Sequence, residues 1–134
     1  MSYSQLPGSA FPVGTTIVTA TATDAAGLTA SATFSVTVVD NQAPVITCPA
    51  NISVNAAAGQ CAAVVTFAAT ATDNCPGVTV SYFPASDSSF PIGITTVTAT
   101  ARDAAGNIAT CSFTVTVIDN TPPTLVLNAT GGAL

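Results

Sequence analysis

Residues 90–106 read FPIGITTVTATARDAAG, and residues 11–27 read FPVGTTIVTATATDAAG. Thirteen of these seventeen positions are identical, at a constant offset of 79. Within the later stretch Val97, Ala99 and Ala101 alternate with Thr96, Thr98 and Thr100. A period of two built on Val, Ala and Thr marks a strand with one buried face, and D-A-A-G after it marks a turn. The alternation resumes in Ser112-Phe113-Thr114-Val115-Thr116-Val117. Two alternating runs about one short turn predict a hairpin.

The offset continues without a gap. Met1-Ser2-Tyr3 falls on Val80-Ser81-Tyr82, Asp40-Asn41 on Asp119-Asn120, and Pro44 on Pro123. A fixed long period signals an array of like modules. It divides the chain into the C-terminal part of a first unit (1–44), a complete unit (45–123) and the first strand of a following unit (124–134). Strands are expected near 45–48, 52–55, 61–67, 78–83, 86–89, 94–102 and 108–118, with Pro and Gly between them. Seven short strands with regular turns predict an all-β fold, a tandem of immunoglobulin-like Greek-key β-sandwich repeats. Val65, Phe67, Val78, Val80, Tyr82, Val97, Phe113, Val115 and Val117 are the expected core.

Charged residues make up 5% of the chain, against a usual value of roughly 25%. The net charge of −5, with Arg102 the one cation among six aspartates, argues against a nucleic-acid partner. A surface of Thr, Ser, Asn and Ala suits packing against neighbouring copies of the same repeat. No run of about 18 apolar residues is present to span a membrane. The opening MSYSQLPGSA lacks the basic and apolar regions of a signal peptide, so an export signal is expected outside this chain.

All four cysteines fall in the complete unit: Cys48, Cys61, Cys75 and Cys111. With no C-x-x-C pair and no histidine, two disulfides in an oxidising compartment are expected rather than a zinc site. In the predicted sandwich the first strand runs parallel to the last. Cys48 and Cys111 lie near the starts of those strands and share the inward parity of Ile46 and Phe113. Cys48–Cys111 is therefore the favoured pair, and Cys61–Cys75 is what remains.

Five of the six aspartates fall at strand ends. Asp24 and Asp103 open the D-A-A-G turns, Asp40 and Asp119 sit in the D-N-x-x-P links, and Asp73 lies in TATDNC. Turn-forming bonds to the local backbone account for many such residues. The sandwich topology also brings Asp40, Asn41, Asp73 and Asp103 toward one junction. Converging carboxylates call for a counter-charge, and Ca²⁺ at the junction between units is the expected one. The spacing matches no EF-hand loop.

Histidine, lysine, glutamate and tryptophan are absent, so a serine nucleophile would lack its usual base. No enzymatic activity is expected. Two N-x-S/T sequons, at Asn51 and Asn128, are candidate glycosylation sites in a cell that glycosylates.

The constellation PVITCPANISV, GQC, VVTF, ATDNC and FPIGITTVTATARDAAGNIATCSFTVTVID resembles the HYR (hyalin repeat) domain family. The resemblance covers 45–119, and residues 1–44 match its later half. It implies an immunoglobulin-like fold and an extracellular module found in tandem in adhesion proteins and bacterial surface or secreted proteins. It implies no catalysis. In the first copy Ala32 stands at the place of Cys111 and Leu28 at that of Asn107.

Two functional readings follow. In the first the chain is a structural or adhesive module of an extracellular array. There the tail of one copy could complete the N-terminal piece of the next by strand addition, giving a head-to-tail filament. In the second it is a spacer or carbohydrate-binding accessory domain of a secreted enzyme. Two Tyr and no Trp supply little for sugar stacking, which weighs against the second.

Overall fold

The structure, a computed structural model, describes residues 1–125 and 127. Its elements among these residues are strands. The first is the two-residue β1 (Ser2–Tyr3), followed by β2 (Gly14–Thr23) and β3 (Thr29–Val38). The later unit contains β4 (Val45–Thr47), β5 (Ile52–Asn55), β6 (Ala62–Val65), β7 (Thr70–Thr72), β8 (Thr79–Phe83), β9 (Ser88–Pro91), β10 (Gly93–Arg102) and β11 (Ile108–Ile118). The all-β expectation holds, and no helix among the described residues is long and apolar enough to cross a membrane.

In the later unit one layer has the order β5-β11-β10-β8. The hairpin of β10 and β11 is its spine, with Val97 opposite Phe113 and Thr95 opposite Val115. The inward parity of both strands is apolar, so Val97, Ala99, Ala101, Phe113, Val115 and Val117 are buried. The other layer consists of the pairs β4-β7 and β6-β9. Phe67 projects into the interior and meets Phe113, Tyr82 and Phe90 edge to face, with ring centroids 4.9, 5.3 and 5.9 Å apart. That geometry favours aromatic pairs because the positive edge of one ring meets the negative face of another.

The two strands expected at 45–48 and 52–55 are both present and lie in different layers. β4 pairs antiparallel with β7, whereas β5 runs parallel to β11, with Val115 opposite Ile52. Pro49 lies in the crossing and has no N–H to give to either ladder. Asn51 supports the crossing by accepting a hydrogen bond on its Oδ1 from the Thr114 amide, 3.0 Å away. Immediately before the crossing, Cys48 is bonded to Cys111 of β11, with Cα atoms 6.0 Å apart. One disulfide thus ties the two layers together.

Two expectations need correction within this unit. The run expected at 61–67 ends at Val65, and a separate β7 follows at Thr70–Thr72 to pair with β4. Val78, Val80 and Tyr82 are only half-buried; Val80 and Tyr82 lie on β8, the edge strand of the first layer, and Val78 just before it. Phe90, Ala56, Ala99 and Ala101 are buried instead.

Residues 1–38 form a three-stranded sheet, β1-β2-β3. Its register repeats that of the later unit: Tyr3 faces Ala20 as Tyr82 faces Ala99, and Val18 faces Phe34 as Val97 faces Phe113. The inner face is an open apolar hollow of about 370 Å³ lined by Tyr3, Phe11, Val18, Phe34 and Val36, among others. Of the strand expected in 124–134, Thr124, Leu125 and Leu127 lie in no strand. Val126 and residues 128–134, including the sequon at Asn128, lie outside the described residues.

Candidate functional site

The D-A-A-G-N turn after β10 is built by its own aspartate. Asp103 Oδ1 accepts the Asn107 amide at 2.8 Å, and the backbone closes with Asp103 N–H to Asn107 O at 3.0 Å. Asp103 Oδ2 accepts Asn107 Nδ2 at 2.8 Å. The same Nδ2 donates to the carbonyl of Asp40, 67 residues earlier, at 2.9 Å. One asparagine side chain therefore fastens the incoming linker to the turn of the unit that follows.

Burial of Asp103 opposes its ionisation. The Asn107 side chain and the amides of Asn107, Gly106 and Ala105 outweigh that effect and hold the carboxyl below its ordinary range. Asp103 is 4% exposed and both its oxygens are engaged within the turn.

The loop 73–78 comes against this turn. Gly77 has φ of 103°, and a Cβ built on it would lie 3.1 Å from that of Ala104. Only glycine fits both the backbone conformation and the close approach. The approach brings Asp73 and Cys75 to the linker. Ligand atoms of Asp40, Asp73 and Cys75 all lie within 4.8 Å of one another.

Asp40 is 7% exposed. Its Oδ1 accepts the Gln42 amide at 3.1 Å, while its Oδ2 is buried without a partner. Asp73 Oδ2 accepts the Cys75 amide at 3.1 Å. Partial burial, then contact with Asp40 and the negative charges of Asp40, Asp73 and Asp103, hold the Cys75 thiol above its ordinary range.

Of the four residues expected to converge, Asp40 and Asp73 meet directly. Asp103 reaches them through Asn107, and Asn41 is exposed to solvent. Cys75 is the member that sequence reasoning missed at this site. Its position two residues after Asp73 is a visible signal, which the expectation of a disulfide at Cys75 masks.

The expected Cys61–Cys75 bond is not made; both cysteines are free. Cys61 precedes β6, and its carbonyl accepts the Ile92 amide at 3.1 Å, beside the start of β10. Cys75 shares a cavity with Ala104, just past the end of β10. The ten residues of β10 separate the two cysteines. At about 3.3 Å per residue that is roughly 30 Å, whereas a disulfide requires Cα atoms within about 7 Å.

The other expected modification site, Asn51, is exposed. Its Oδ1 is engaged with the Thr114 amide.

The HYR domain matches this chain twice, over residues 1–38 and 39–117. Hyalin of Strongylocentrotus purpuratus is 43% identical over 117 residues, covering 83% of this chain and 10% of that protein. Hyalin of Lytechinus variegatus is 39% identical over 137 residues, covering 96% of this chain and 26% of that protein. The sushi, von Willebrand factor type A, EGF and pentraxin domain-containing protein 1 of Rattus norvegicus is 41% identical over 90 residues, covering 64% of this chain and 2% of that protein. The chain thus spans between 2% and 26% of the length of these relatives.

Proposed function

The chain belongs to the HYR domain family, and from that premise we propose that it is a structural and adhesive module of an extracellular array of like units. The observation that carries this reading is the docked linker. Asp40 and Pro44 are buried, and Asn107 holds the Asp40 carbonyl from the following unit. A linker held in this way transmits orientation between neighbours, where a free linker would let them tumble. The nearly uncharged surface suits packing against like surfaces, and the disulfide between layers suits an oxidising compartment.

The half-unit at 1–38 has an apolar inner face with Phe34 half exposed. Strands from a second copy would cover that face, and repetition of the contact would give a head-to-tail filament. Calcium at the junction would draw on the buried, unpartnered Oδ2 of Asp40 and on Asp73. Hard carboxylate oxygens suit that ion, and the thiol of Cys75 does not.

Beads coated with the chain test the adhesive reading. They are expected to aggregate with one another and not with beads coated with an unrelated β-sandwich. Dispersed beads at every chain density would overturn self-adhesion. Electron microscopy of the concentrated chain is expected to show filaments; single particles at all concentrations would remove the assembly. For calcium, Tm is expected to rise by a few degrees from excess chelator to millimolar calcium, and Asp40→Asn with Asp73→Asn to abolish the rise. An unchanged Tm in the parent chain would remove the ion from the reading.

A further inference from the structure

The two free cysteines lie at opposite ends of the complete unit. The repeat turns this separation into a match. Ile92 donates its amide to the carbonyl of Cys61, so Cys61 sits directly beside Ile92. One period of 79 earlier, the residue equivalent to Ile92 is Val13. Val13 lines a junction cavity of about 480 Å³ together with Asp40, Cys75, Pro76, Ala104 and Ala105. A preceding unit that keeps the Cys61–Ile92 contact would therefore place its own Cys61 equivalent beside Val13, at the mouth of the cavity that holds Cys75.

From this juxtaposition we infer that Cys75 forms a disulfide across the junction, with the Cys61 equivalent of the unit that precedes it. Cys61 of the complete unit makes the same bond to the Cys75 equivalent of the unit that follows. The inference rests on the array reading above, since it requires like units in register. It assigns a role to two cysteines that their own unit cannot pair. It also explains why a thiol lies among aspartates: a disulfide carries no charge, whereas a thiolate there would face Asp40, Asp73 and Asp103.

Two thiols give one S–S bond with loss of two protons and two electrons. A low-molecular-weight or protein disulfide accepts the electrons and leaves as two thiols. The thiolate of exposed Cys61 attacks the oxidant and forms a mixed disulfide. The thiolate of Cys75 then attacks the Cys61 sulfur and displaces the second thiol of the oxidant.

The test uses residues 1–123 continued in register by a second copy of residues 45–134, oxidised by glutathione disulfide in excess reduced glutathione, which returns any unresolved mixed disulfide to a free thiol. This chain has four cysteines in each part. Pepsin digestion at low pH without reductant is expected to yield a peptide joining Cys61 of the leading unit to Cys75 of the following one. Thiol titration in denaturant is expected to count two free thiols: Cys75 of the leading unit and Cys61 of the following one. Replacing the leading Cys61 (Cys61→Ser) is expected to remove the cross-linked peptide and leave the bonds of Cys48 to Cys111 in both units. Four free thiols with no cross-linked peptide would overturn the bond. Small-angle scattering of the same sample separates that failure from failure of the array reading. A rigid rod with four free thiols leaves docked units standing, whereas units tumbling independently would remove both.

Discussion

The hairpins β2–β3 and β10–β11 are close relatives by sequence, the same object by register, and different objects by environment. Val18 faces Phe34 as Val97 faces Phe113. Yet Phe34 is 50% exposed and Phe113 only 3%. The difference lies in the opposing layer: β4, β6, β7 and β9 cover the later hairpin, and among the described residues no strands take their place over the earlier one. Their turns diverge in the same way. Asp24 Oδ1 accepts the amides of Ala26 and Leu28, both at 2.9 Å, repeating the backbone turn of Asp103. Leu28 has no side-chain amide with which to hold a linker, and Asp24 stays exposed. Local sequence builds each hairpin; what it packs against decides its energy.

The comparison can be broken most sharply at the core. Phe113→Ala is expected to cost about 3–5 kcal/mol, because a cavity would open beside Phe67. Phe34→Ala should cost under about 1 kcal/mol, since the side chain is already half in water. Urea unfolding of the two variants measures the difference, and equal losses would mean that the first hairpin is covered in solution.

Next is the bond between layers, which the first copy lacks because Ala32 stands in place of Cys111. Cys48→Ala with Cys111→Ala is expected to lower stability by about 2–4 kcal/mol. Thermal unfolding with and without reductant checks this, because the variant should no longer respond.

Exchanging the turn residues sharpens the comparison further. Asn107→Leu is expected to cost about 1–3 kcal/mol, since the Asp40 carbonyl and Asp103 Oδ2 both lose their donor. The mirror change, Leu28→Asn, should be within about 0.5 kcal/mol of neutral, as an exposed substitution. Hydrogen exchange across 39–45 would read release of the linker in the first variant and no change in the second.

The smallest effect is on acid stability. The Asp103 carboxyl titrates below its ordinary range in the folded chain, so its contribution is full above the unfolded value and is lost as pH falls through the folded one. Between about pH 5 and pH 2 the parent chain should lose more stability than Asp103→Asn. Identical slopes in urea titrations across that window would show that the turn does not couple to protonation.

Much of the fold was legible because the strand signal is local. Thr/Val alternation names the inward face of β10 and β11 without reference to a partner, and the 79-residue offset marks the units. The split of 45–55 into two strands was legible; their assignment to different layers and the separate β7 were not, because Thr and Ala in short runs suit either layer equally well. At the junction, the ATDNC and D-A-A-G-N segments announced that aspartates would gather. They did not announce that Asn107 would bridge Asp103 to the linker, a contact across 67 residues. The pairing of Cys61 with Cys75 was an inference by elimination, and elimination holds only if every cysteine finds its partner inside one unit.

By itself the sequence determined an all-β repeat, its period, its buried parities and its near-absence of charge, because these depend on side-chain type at alternating positions. Tertiary structure alone decided which copy of the hairpin became core, which two aspartates were buried, and which end of the sandwich each free cysteine occupies. Burial and distance belong to what the chain brings opposite a residue, and closely matching stretches such as 11–27 and 90–106 do not carry that difference within themselves.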